Sequence, residues 1–132
     1  MFSKTEILVN KIQCVLAHAP LPAVPMKLWL ADLTYTQQTI ASDVIPAAIG
    51  MLAEYAVLEV PEISEVRLFK FPEDLIEAFS TDAGPDVMGF SNYVWNSALS
   101  LSLAQAFKED HPDLTVIFGG PNFPMVAWEQ EE

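Results

Sequence analysis

A chain of 132 residues, 52% hydrophobic and 18% charged, is long enough for one domain with a real core, too short for two, and globular rather than disordered in composition. Six basic against eighteen acidic residues give a formal net charge of −12, which argues against nucleic acid, whose binding needs Lys and Arg to displace counterions, and against anionic membrane surfaces. Cys14 is the single cysteine, so neither a disulfide framework nor a thiolate cluster is expected; with no membrane-length apolar run and no secretory signal pattern, the expectation is a cytoplasmic protein.

Taken in chain order, Phe2 to His18 has apolar residues at Ile7, Leu8, Ile12, Val15 and Leu16, a helical spacing. Residues 19–25 (APLPAVP) follow as a stiff linker, because three prolines in seven residues forbid helix and ladder. KLWLA (27–31) reads as a short buried strand, and the polar, hydroxyl-rich segment 32–42 as a loop. A helix is predicted over 43–56, with Asp43 as its cap and Ile45, Ile49, Leu52 and Ala56 on one stripe. Residues 65–71 alternate as a strand would, Pro72 ends that strand, and 73–79 makes a short helix.

The next strand is DVMGF (86–90), followed by the loop SNYVWN (91–96). Residues 97–110 form a helix capped by Asn96 or Ser97, with Leu99, Leu103, Ala106 and Phe107 inward. TVIF (115–118) has the β-branched and aromatic character of a strand buried on both faces. It stops at Gly119-Gly120, a place without side chains where something flat can come close. Strands alternating with helices predict an α/β fold, a doubly wound (Rossmann-like) parallel sheet of four or more strands. Residues 1–26 would be a helical extension with its linker, and 27–132 the domain. The acidic tail, Glu129 to Glu132, resembles the first turn of a further helix, so the domain reads as truncated before its last strand.

Loops after the strands of such a sheet share one edge, where open α/β folds bind ligands. Here they are DLTYTQQT (32–39), SNYVWN (91–96) and GGPNFP (119–124). They offer hydroxyls, amides, large aromatics and no Lys or Arg. That suits a large, flat, amide-rich ligand better than a nucleotide, for which G-x-G-x-x-G or a P-loop lysine would be expected. Each loop also has a plainer reading: Tyr93 and Trp95 as a cover for the sheet end, Asn92 and Asn96 as turn and cap residues. Asp32 lacks the companion lysine and acidic pair of a phosphoacceptor.

On these segments, from Lys27 to Pro124, the chain resembles the cobalamin-binding domain, and more closely the version at the N-terminus of cobalamin-dependent radical S-adenosylmethionine enzymes. The family pattern is D-x-H-x-x-G after the first strand, S-x-L after the third and G-G after the fourth. Asp32, Ser91-Asn92-Tyr93 and Gly119-Gly120 occupy these places, with Tyr93 where the family has Leu. The resemblance implies a groove for the dimethylbenzimidazole tail between Ser91 and Gly119-Gly120. Asp32, Thr34, Tyr35, Thr36 and Gln37 would line the corrin side. Ser91, Asn92, Tyr93, Gly119, Gly120, Pro121 and Asn122 would hold the tail and amide arms, joined by Trp95 and Asn96.

Thr34 stands where the cobalt-ligating His would be and Gln37 where Gly would be, so the resemblance does not imply histidine ligation, and no metal ligand or catalytic residue is assigned. It further implies a radical domain in cis beyond residue 132, carrying a [4Fe–4S] cluster and S-adenosylmethionine, with methyl transfer as the leading parent reaction. One alternative is a flavodoxin- or receiver-like interaction domain without cofactor. Another is a small hydrolase on Ser91, for which no partner histidine is at hand.

Overall fold

A computed structural model describes residues 25–35 and 45–122. The expected N-terminal helix and linker, the Asp43 cap, Thr36, Gln37 and the acidic tail lie outside the described residues. The elements are β1 (Met26–Ala31), α1 (Ala47–Glu59), β2 (Ile63–Phe69), α2 (Pro72–Thr81), β3 (Val87–Ser91), α3 (Ser97–Asp110) and β4 (Thr115–Gly119). All strand pairs are parallel and the sheet order is β2-β1-β3-β4. This is the predicted doubly wound α/β architecture.

β1 is central, and its alternation builds both sides of the core. Trp29 and Ala31 face α2 and α3, where Leu75, Ala78, Ala104 and Phe107 close over Met88 and Phe90. Met26, Leu28 and Leu30 face α1, packing with Ile49, Ala53 and Val87. On the first side Phe79 stacks on Phe107 with centroids 3.7 Å apart, and Trp29 meets Phe79 edge-on at 5.1 Å. Such pairs add about 0.5–1.5 kcal/mol beyond the area they bury.

Several boundaries and faces differ from the sequence reading. β2 covers 63–69, not 65–71: its ladder starts at Met26↔Ile63 and ends where β1 ends, at Ala31↔Phe69. Ser64 is the extra residue of a bulge, which lets Ile63 and Val66 face the same cluster despite their odd spacing. Pro72 does not end β2 directly but opens α2, where its missing N–H costs nothing. Ile45 precedes α1 and is 81% exposed, so the buried stripe of that helix is Ile49 and Ala53 with Leu52 and Ala56 beside it. Ala106 is exposed, and the buried residues of this helix are Ser100, Ala104 and Phe107. β4 is only half-buried, with Thr115 exposed, because it is the outer strand of the described sheet.

Candidate functional site

Parallel strands bring four connections to the carboxyl edge of the sheet. Lys70 follows β2, Asp32 follows β1, Asn92 follows β3 and Gly120 follows β4. The sequence reading named three of these loops. It missed the fourth, Lys70-Phe71, because it extended β2 by two residues. Lys70 accepts a backbone hydrogen bond from the Thr34 N–H at 3.0 Å, and its ammonium lies 5.4 Å from the Phe71 ring centroid.

The β1 loop leaves the sheet in extended form. The Asp32 N–H donates to Phe69 O at 3.0 Å, carrying the β1–β2 ladder one residue further. Burial raises the Asp32 carboxyl above its ordinary value of 3.8, the direction expected when a charged form loses water. Thr34 is half-buried and Tyr35 exposed.

The loops after β3 and β4 are stitched to each other through the backbone. The Asn92 N–H donates to Gly119 O, and the Asn122 N–H donates to Asn92 O at 3.1 Å. Gly120 sits at φ +108°, and a Cβ there would lie 2.9 Å from Asn92 O. The close approach therefore requires glycine. Gly119 is different: a Cβ there would meet nothing within 4 Å. Beside it, Asn92 Oδ1 is buried without a hydrogen-bond partner.

The β3–α3 loop is organised around Asn96, which is fully buried. Its Oδ1 accepts from the Tyr93 N–H at 2.8 Å, and its Nδ2 donates to Leu33 O and Ser91 O, each at 3.1 Å. Asn96 occupies the N-cap position of α3, yet no side-chain cap bond is made there, and Ser97 does not supply one either. Above this knot Tyr93 and Trp95 stack with centroids 4.4 Å apart and planes 10° from parallel. Trp95 is 62% exposed and Val94 80%, so the Trp95 ring faces outward, while Tyr93 is half-buried.

Thus Asp32, Thr34, Tyr35, Ser91, Asn92, Tyr93, Trp95, Asn96, Gly119, Gly120, Pro121 and Asn122 all lie along one edge. His111 is at the opposite end, at the C-cap of α3 and 5.7 Å from Phe79. Among the described residues no group of three or more His, Cys, Asp or Glu could hold a metal ion, and no helix is long and apolar enough to cross a membrane.

No protein-family model matches the chain. Among curated proteins it is 33% identical over 84 residues to 2-(S-pantetheinyl)-carbapenam-3-carboxylate methyltransferase of Streptantibioticus cattleyicolor. It is 32% identical over 84 residues to the cobalamin-dependent radical SAM methyltransferase TokK of Streptomyces tokunonensis. Each match takes in 61% of this chain and 12% of the relative, so the chain spans a small part of the length of either.

Proposed function

We propose that this chain is the cobalamin-binding module of a radical S-adenosylmethionine enzyme, with methyl transfer as the parent reaction, and that it holds the corrinoid for chemistry in another domain of the same protein. The observation that carries the reading is the contrast at Gly119-Gly120. Gly120 answers to the fold, whereas Gly119 leaves backbone facing open space at the ligand edge. A flat ligand can lie against such a shelf, and a side chain would fill it. The similarity to TokK, whose name states cobalamin dependence, supports the same assignment.

The residues present fit the group. Its periphery is rich in amides, and the edge offers neutral donors and acceptors in Thr34, Ser91, Asn92 and Asn122, with the flat faces of Tyr93 and Trp95. When bound, cobalamin supplies a cobalt centre able to carry a methyl group. The chain's own part is to bind and orient. Asp32, Thr34 and Tyr35 would line the corrin side, Ser91 and the glycine shelf would receive the tail, and Asn92, Tyr93, Trp95, Pro121 and Asn122 would hold the periphery; Thr36 and Gln37, expected beside Tyr35, lie outside the described residues. With Thr34 where the related pattern has His, the loop after β1 would offer no imidazole to the metal. The [4Fe–4S] cluster and S-adenosylmethionine belong to the further domain.

The test is to mix the purified chain with hydroxocobalamin, remove free ligand by gel filtration and record the visible spectrum of the protein peak. Co-eluting corrinoid with a base-off spectrum is expected. A folded chain that elutes colourless would overturn the assignment; a nitrogen-ligated spectrum would overturn the placing of the tail if the nitrogen is the cofactor's own benzimidazole, and the account of Thr34 if it is a protein imidazole.

A further inference from the structure

We infer that Asn96 is a positioning residue: its carboxamide fixes the β1 loop to the β3 loop and so sets the floor of the ligand edge without touching the ligand. The identity of that ligand rests on the reading above; the brace itself does not. An asparagine side chain has one carbonyl acceptor and two N–H donors. Here the oxygen takes the Tyr93 N–H, and the nitrogen gives to Leu33 O and Ser91 O. At zero exposure and with both donors used, the group has no N–H left for a ligand.

The chemistry demands asparagine. Two carbonyl oxygens face the nitrogen and one N–H faces the oxygen. A carboxylate would set oxygen against two carbonyl oxygens, and an apolar isostere would leave three backbone groups without this partner. A local alternative also goes unused. An asparagine at an N-cap ordinarily bonds the free N–H groups of its own helix, whereas this one reaches Leu33, 63 residues back.

What it holds together matters to the site. Leu33 lies between Asp32 and Thr34, and Ser91 and Tyr93 flank Asn92. Neighbouring positions on both sides of the edge therefore hang from one carboxamide. The edge is held by the protein's own hydrogen bonds rather than by contacts to a ligand, which lowers the ordering cost of binding.

The brace is tested with Asn96→Ser, which is too short to reach its partners, and Asn96→Asp, which keeps the acceptor but loses the donors. Phe107→Leu, in the core away from this loop, serves as a control for stability. In the ligand-free proteins, hydrogen exchange of the Tyr93 amide should accelerate in N96S and stay slow in N96D, a split that general loosening does not produce. In visible titrations at a temperature where each protein is folded, both variants should bind hydroxocobalamin about 10- to 100-fold more weakly. That is the scale of loss when an outer-layer partner that orients a metal ligand is removed, carried over to a group acting one step from the cofactor, and F107L should bind as the parent does. Unchanged Tyr93 exchange in N96S, intact affinity in both Asn96 variants, or an equal loss in F107L would each overturn the inference. If the parent fails to bind the corrinoid while the exchange split is present, the brace stands and the cobalamin reading falls.

Discussion

Gly119 and Gly120 are neighbours under different constraints. Gly120→Ala forces an L-residue to φ +108° and drives a methyl against Asn92 O, so it should cost about 1–3 kcal/mol in urea denaturation. Gly119→Ala meets no atom and should leave stability within about 0.5 kcal/mol, while reducing retained hydroxocobalamin on gel filtration. The glycine pair is visible in the sequence; the division of labour is not, because φ and the nearness of Asn92 arise only once two loops meet. The same holds for Asn96, legible as a cap but not as a partner of Leu33. Asp32 gives a pH test. Burial raises its folded value above 3.8, so its share of stability is fully present below the unfolded value and lost as pH rises through the raised one. Asp32→Asn should therefore melt higher than the parent at neutral pH, and that advantage should vanish as the pH falls below about 4. Melting curves across pH check this, and an advantage that persists in acid would refute it.

Among the elements, α2 and α3 show a clear division between faces and α1 does not. In α1 only Glu54 and Glu59 carry charge, and Met51 and Leu58 are 70% and 73% exposed. A helix apolar nearly all round gives little contrast between its faces, and Ile45 fails as a core position for a simpler reason: α1 begins at Ala47, so Ile45 lies before the helix and off its buried stripe. The five residues of β4 mislead in a related way. Their β-branched, aromatic run has the character of an interior strand, yet its surroundings depend on what lies beside it in space. The aromatic stack beneath the sheet is better determined. Phe107 is buried against Phe79, so Phe107→Ala should cost about 3–5 kcal/mol. Equilibrium unfolding measures it, and a loss below about 1 kcal/mol would mean that the stack contributes little.

For the whole molecule, the alternation of strands and helices was enough to predict a doubly wound parallel sheet, because parallel strands require crossovers and crossovers take one hand. The order β2-β1-β3-β4 was not legible, since nothing local states which strand lies between which others. Net charge acts at this scale too. With −12 on 132 residues, carboxylates repel through solvent, and Asp82, shared by Lys27 and Arg67 at 3.6 and 3.3 Å, relieves that only locally. Raising ionic strength from about 0.01 to about 0.15 M shortens the screening length from about 30 to about 8 Å and should raise the melting temperature; a flat or falling trend in calorimetry would contradict it. The central place of β1 also has a consequence for synthesis. Its β3 edge is paired through Val87 and its neighbours, which leave the ribosome about 60 residues after Met26. At about 5–20 residues per second that is roughly 3 to 12 seconds. For that interval Leu28, Trp29 and Leu30 belong to a nascent strand with at least one side unmatched, so an interior strand of the described sheet is the one of its four that the cell makes first and must shield longest.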